Sequence, residues 1–274
     1  MLRGLYTAGL GMITEAERTD VIANNVANVN TAGYKRDEAI SSEFEELMLR
    51  RINDKTDKPE VARLSKSAEA LLERGLLNGQ VAPEIGGLGR GALVDEIATI
   101  REQGSFKQTD NPLDVAIAGN GYFVIETPQG DRYTRNGSFL KSANNELVTV
   151  DGQRVLGQDG RPIILPEGTA KVTITEQGQV RADNNIVGTL GLVDFADRRA
   201  LLKQGNNLYM VQANQQPEPA TGTIVQGSLE MSNVNTVSEM VKLIDAYRTY
   251  EANSKAVVSQ DNLLDKAVNE VGRV

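Results

Sequence analysis

The 274-residue chain contains no cysteine, no histidine and no tryptophan, and only 4% of its residues are aromatic. Without His or Cys, neither a Ser-His-Asp nor a Cys-His arrangement can be assembled, and two-His zinc motifs are excluded. The lack of Cys is compatible with either redox compartment, because a chain of this size builds a core without disulfides. Charge of one sign is not concentrated anywhere: 29 basic and 37 acidic residues leave a net charge of −8, which argues against a nucleic-acid or anionic-membrane partner. No apolar run approaches the ~20 residues that span a bilayer, so membrane insertion is not expected. The opening stretch MLRGLYTAGLGMITEAER runs into Glu15, Glu17 and Arg18 without a small-x-small cleavage site, so a cleaved secretory signal is not expected either.

What the sequence does hold is two long heptad patterns, one at each end. Leu2, Leu5, Gly9, Met12, Ala16, Thr19, Ala23 and Val26 alternate steps of three and four, forming a narrow seam of small residues. Met240, Leu243, Tyr247, Tyr250, Ser254, Val257, Asp261, Leu264, Val268 and Val271 keep the same spacing, with no Gly or Pro between Ser228 and Val271. Glu239 with Lys242, Asp245 with Arg248 and Glu251 with Lys255 add opposite charges three or four residues apart. A helix from Thr236 to about Val271 would be roughly 54 Å long, too long for the edge of a small domain.

The middle reads differently. From about Pro112 to Gly227, short runs of β-formers alternate with Gly119-Asn120-Gly121, Asn136-Gly137, Asp151-Gly152, Asp159-Gly160 and similar pairs that supply the positive φ of tight turns. The expected fold is α+β, with long N- and C-terminal helices packed as an antiparallel, coiled-coil-like pair and a central antiparallel β-rich domain. In domain terms, residues 1–36 and 228–274 form a discontinuous helical assembly domain and 112–227 a β-rich outer domain. Residues 37–111 form a linker with short helices, EFEELMLRRI and SKSAEALLER being the helical candidates. PEIGGLGRG reads as a loop: its Gly-rich core lacks the Lys-Ser/Thr of a P-loop.

Carboxylates are the only acid-base chemistry left. Asp110 with Asp114, or Asp151 with Asp159, are the candidate pairs for a secreted glycosidase, but Asp-Gly and Asp-Asn are first of all turn chemistry. A surface adhesin with helical ends is a further alternative. No catalytic residue, cofactor or metal site is expected.

The string Asn28-Val29-Asn30-Thr31 recurs as Asn233-Val234-Asn235-Thr236. The first copy leaves a helix and the second enters one. Thr236 and Glu239 have the spacing of a capping box, and Gly33 suits the left-handed conformation that closes a helix. Four asparagines in ANNVANVN cost helix propensity, so their role is expected to be the satisfaction of backbone groups where two chain segments meet.

IANNVANVNTAGYKR (22–36), GNGYFVIE (119–126), YTRNGSF (133–139) with LVTVDGQRVLG (147–157), and GSLEMSNVNTVSEMVKLIDAYRTYEANSKAV (227–257) closely resemble the bacterial flagellar rod and hook family. The resemblance runs in order over nearly the whole chain, except for about Asp37–Arg101. It implies a non-enzymatic axial subunit at the basal body of the flagellum. Such a subunit leaves through the flagellar type III export apparatus and polymerises with itself and with other axial proteins. The length favours a rod protein, proximal or distal, over the usually longer hook type. Carried over by position, the assembly residues are Leu5, Met12, Asn24, Asn25, Asn28, Asn30, Gly33, Tyr34, Asn233, Asn235, Leu243, Tyr247, Tyr250 and Leu264.

Overall fold

The computed structural model describes residues 2–43, 46–50, 84–89, 91–169, 171–211 and 215–271. A long helix opens the chain (α1, Leu2–Ala27) and another closes it (α2, Thr236–Lys266, continued by one wider turn over Ala267–Val271). Between them the strands from Phe106 to Glu230, and Glu46–Arg50 with Glu84–Gly89, pair antiparallel. The chain is thus α+β, with an N-terminal helix, a β-rich centre and a C-terminal helix. None of its helices is long and apolar enough to cross a membrane among the described residues.

Two compact units divide the chain: residues 1–19, 39–97 and 244–274 form one, and 20–38 with 98–243 the other. The larger unit is built on a nine-stranded sheet in which Tyr122–Thr127 is the hub, pairing with Gly130–Thr134, Arg154–Val155 and Leu192–Asp194. Alternation along this strand sends Phe123 and Ile125 into a core with Val115, Ile117, Phe139 and Leu147, while Tyr122 faces a second cluster with Phe195, Leu201 and Tyr209. Phe123 and Phe139 meet edge to face at 5.1 Å, a favourable arrangement for ring quadrupoles.

Most of the turn chemistry works as the sequence suggests. Gly152 and Gly160 take φ of 81° and 74° behind their aspartates. Asp183 and Asn184, both at positive φ, close the hairpin between Gln179–Ala182 and Asn185–Thr189, so the turn sits one residue before the Asn184-Asn185 pair. Two pairs behave otherwise. Gly119-Asn120-Gly121 does not close a hairpin, because Val115–Ala118 pairs with Thr223–Gln226, over a hundred residues on, instead of with the strand that follows it. Gly137 is needed for proximity: a Cβ there would lie 1.7 Å from the carbonyl oxygen of Val115.

In the smaller unit, two readings of the linker need correction. EFEELMLRRI does not form a helix where it is described: Glu46–Arg50 is a strand, paired with Glu84–Gly89, which the sequence suggested was a loop. Asp37–Glu43, which enters this unit at Ala39, likewise pairs with Ala92–Thr99. Leu, Met, Arg and Glu favour helix as isolated residues, but a partner strand some forty residues away overrides that preference. SKSAEALLER lies outside the described residues. The hydroxyl of Thr14 on α1 donates to Ala92 O at 2.8 Å, and a Cβ on Gly91 would meet Leu10 at 2.8 Å, so this ribbon lies directly against the helix.

Candidate functional site

The asparagine-rich end of α1 is the centre of a polar junction, wholly within the larger unit. Asn25 is 1% exposed. Its amide uses both ends on one residue: Nδ2 donates to Asp37 O at 2.7 Å, and Oδ1 accepts from Asp37 N at 2.9 Å. Oδ1 also accepts from the Tyr34 hydroxyl at 3.1 Å, and Nδ2 reaches Glu239 of α2 at 3.3 Å. Asn233 repeats the device. It accepts from Arg36 N at 2.8 Å and donates to Ile100 O at 2.8 Å, while Ile100 N donates to Arg36 O. A carboxamide is the one short side chain that offers a donor and an acceptor side by side, so it pairs with the N–H and C=O groups that the strand ends at Asp37 and at Arg36 and Ile100 leave over.

The other asparagines act locally. Asn28 Nδ2 donates to Asn24 O at 2.9 Å, covering a carbonyl in the last turn of α1, and Asn28 Oδ1 accepts from Thr31. Asn235 caps α2, with Oδ1 accepting from Ser238 N at 3.1 Å. The capping box suggested by Thr236 and Glu239 is therefore replaced by an asparagine cap one residue earlier. Released from that task, Glu239 is buried and takes Asn25, Lys242 at 2.8 Å and Arg36 at 3.5 Å. Asn30 and Asn24 are exposed.

Beneath the amides lies a buried ion cluster. Glu230 is 1% exposed and bonded to Lys35, itself 2% exposed; its other oxygen meets Arg135 Nη1 at 3.3 Å. Gly104 N also donates to Glu230 at 3.0 Å, Lys35 donates to Glu102 O, and Arg135 donates to Gly119 O and lies over the Tyr122 ring. Burial lowers the Lys35 pKa, and Glu230 pulls in the opposite direction. Burial, helped by the carboxylates of Asp37 and Glu239, raises that of Tyr34 above the usual phenol range. Lys203 sits 4.3 Å over the Tyr34 ring and bonds Asp37 at 2.7 Å; burial lowers its pKa and Asp37 offsets this.

Gly33 takes φ of 70°, yet it closes no helix: α1 ends six residues earlier. Its N–H donates to Glu230 O at 2.8 Å, and a Cβ would lie 2.5 Å from the backbone of Arg135 and Asn136. Glycine is required here twice over, for conformation and for space.

The remaining assembly candidates lie on the helices. In the smaller unit Leu5 and Met12, with Gly9, Ile13 and Ala16, line one groove with Tyr250 and Val257. Tyr247 lines a different groove on α2 with Ile244, Arg248 and Glu251, and is 59% exposed. Leu243 and Leu264 are half-buried. The most enclosed α1 positions are Ala8, Thr14, Ile22 and Asn25, a stripe beside the predicted seam instead of on it.

Sequence reasoning missed Lys35, Arg135, Glu230 and Glu239 as parts of one site. The signal was available: all four stand inside the motifs GYKR, TRNG, GSLE and VSEM, and a Lys and a Glu amid strand residues imply a partner. Of the acid-base candidates, Asp114 is buried and bonds Asn111 at 3.0 Å, Asp110 bonds Gln108, and Asp159 accepts from Arg161 N. Those are turn roles.

The chain is bounded by helices, β-rich at its centre and built around a buried polar junction, and comparison with known proteins specifies its family. Three family descriptions match in order: "Flagella basal body rod protein" over residues 5–35, "Flagellar hook protein FlgE/F/G D1 domain" over 116–182 and "Flagellar basal body rod FlgEFG protein C-terminal" over 225–270. The chain is 35% identical to the flagellar basal-body rod protein FlgG of Agrobacterium fabrum, over 96% of this chain and 97% of the relative. It is 36% identical to FlgG of Borreliella burgdorferi (98% of each) and 31% identical to the flagellar hook-basal body complex protein FlhO of Bacillus subtilis (100% of each). The chain belongs to the flagellar basal-body rod and hook protein family.

Proposed function

We propose that this chain is a structural subunit of the flagellar rod, exported through the flagellar type III apparatus and polymerised into the axial drive shaft. Near full-length similarity to proteins named as basal-body rod proteins is the observation that carries the reading. Rod, and not hook, is the name that most of those relatives bear. Residues 1–36 and 228–274 are the assembly domain and 112–227 the outer domain. The two helices work as an antiparallel pair. In support, a Cβ on Gly4 would meet Gln260 and one on Gly11 would meet Asn253, so seven residues forward on α1 correspond to seven residues back on α2.

Apolar side chains left in water on both helices support a role between copies. Tyr6, Ile244, Tyr247 and Val258 are all more than half exposed, and Ile244 and Tyr247 adjoin in one groove. The proposed assembly residues are Leu5, Met12, Leu243, Tyr247, Tyr250 and Leu264. Asn24, Asn25, Asn28, Asn30, Gly33, Tyr34, Asn233 and Asn235 complete the assembly set: Asn25, Gly33, Tyr34 and Asn233 tie the chain together at the junction, and the other four act locally or stand exposed.

The test is assembly itself. Purified protein at high concentration should form rods or short tubes in negative-stain electron microscopy. Tyr247→Asp with Leu264→Asp should abolish them, and motility in cells, while the β circular dichroism signal stays unchanged. A wild-type protein that remains monomeric with both termini protected from protease would sink the reading.

A further inference from the structure

The face of α2 turned away from α1 has an outline that the junction does not explain. Ile244, Tyr247, Arg248 and Glu251 surround a depression that Tyr250 and Ser254 extend. Positions i, i+3, i+4 and i+7 are the four that form the hole receiving a knob from a facing helix. One heptad further, Glu251, Ser254, Lys255 and Val258 outline the next hole, with Glu251 and Lys255 paired at 2.8 Å. The first hole has an apolar wall and the second is mostly polar.

The chain's own first helix does not fill these holes. Its Leu5, Gly9, Met12, Ile13 and Ala16 border the groove with Tyr250 and Val257, on the other side of Tyr250, while Ile244 and Tyr247 are 52% and 59% exposed. The knobs that fit are nevertheless on the same chain. Tyr6 and Ile13, seven residues apart on α1, share one face and are 70% and 51% exposed. Two knobs one heptad apart match two holes one heptad apart.

We propose that the hole bounded by Ile244, Tyr247, Arg248 and Glu251 receives Ile13 of a second copy of this chain, with Tyr6 of that copy in the next hole. The chemistry fixes the direction. Ile13 is matched by Ile244 and the Tyr247 ring, whereas the Tyr6 hydroxyl needs a polar partner, which Glu251, Ser254 or Lys255 supplies. This order runs α1 of one copy antiparallel to α2 of the other. Copies that all point the same way produce that relation when the two helices of each chain are antiparallel. The contact joins two different surfaces, so it is head-to-tail, and it extends into a helical filament when the rotation between copies does not close a ring. The inference rests on the rod-subunit reading above and names the surfaces it uses.

Because the chain has no cysteine, single-cysteine variants report contacts between copies cleanly. Ile13→Cys mixed with Ile244→Cys, and Tyr6→Cys mixed with Ser254→Cys, are oxidised under assembly conditions and read on denaturing gels. Each mixture should give disulfide-linked dimers at least about tenfold above the crossed mixture of Tyr6→Cys with Ile244→Cys, whose positions lie too far apart for a disulfide. Rods in the micrographs without dimers in either matched mixture overturn this contact and leave the rod reading standing. Dimers chiefly in the crossed mixture mean the helices run parallel, which also overturns it. If wild-type protein forms no rods and no mixture cross-links, the rod reading fails and this contact fails with it.

Discussion

Glu230→Ala should destabilise the larger unit by about 3–5 kcal/mol, the range for removing one partner of a buried ion pair. Two cations depend on this carboxylate, Lys35 through one oxygen and Arg135 through the other, and all three side chains are buried. Without it, Lys35 keeps Glu102 O and Arg135 keeps Gly119 O, so their hydrogen bonds survive in part but their charges have no counterion. The backbone N–H of Gly104 also loses its acceptor. Glu230→Gln, which keeps the shape and one acceptor, should cost less than the alanine variant. Lys35→Met combined with Glu230→Gln should cost less than the two single changes added together, because the pair interacts directly. The check is urea unfolding followed by β circular dichroism. A loss below about 1 kcal/mol for Glu230→Ala would mean that water enters and the cluster is not sealed.

That cluster shows what was legible in the sequence and what was not. The β-formers and turn pairs between Pro112 and Gly227 carry local information, and their strands and positive-φ residues appear close to where the pattern puts them. The pairing of Val115–Ala118 with Thr223–Gln226 is not local, and nothing in GNGYF distinguishes a hairpin turn from a passage between sheets. The ribbon at Glu46–Arg50 and Glu84–Gly89 failed for the same reason: five helix-compatible residues became a strand because of a distant partner. At the junction, the asparagines announced themselves by costing helix propensity. Their partners did not, because Lys35, Arg135 and Glu230 are ordinary residues until the fold excludes water from them.

Glu239 illustrates the competition more sharply. A Thr-x-x-Glu string at a helix start favours a reciprocal cap, worth about 1 kcal/mol. Asn235 takes over the cap from one position earlier, and Glu239 instead meets Asn25, Arg36 and Lys242 in a buried setting. Charge-assisted hydrogen bonds of that kind are roughly twice as strong as neutral ones, so tertiary context outweighs the local motif.

Asn25→Asp, a change of one group of similar size, should be nearly as damaging as Glu230→Ala: about 3 kcal/mol at neutral pH, from a lost donor and a buried charge left without a counterion. The carboxylate keeps the bonds from Asp37 N and the Tyr34 hydroxyl. It cannot donate to Asp37 O, now 2.7 Å from another acceptor, and it stands where an amide lay 3.3 Å from the Glu239 carboxylate. Burial and that like charge both raise the folded-state pKa of the new side chain. An acid whose pKa is higher folded than unfolded binds more protons in the folded state. The variant should therefore regain stability as the pH falls through the raised value, the gain levelling off below the unfolded value of about 3.9. Protonation also restores a donor for Asp37 O. The difference in unfolding free energy between wild type and variant should accordingly shrink on acidification, whereas Asn25→Leu, which has no proton to gain, should show a difference without this pH dependence. Parallel stability curves for wild type and Asn25→Asp from pH 7 to pH 4 would show that the amide does not bridge Asp37 and Glu239.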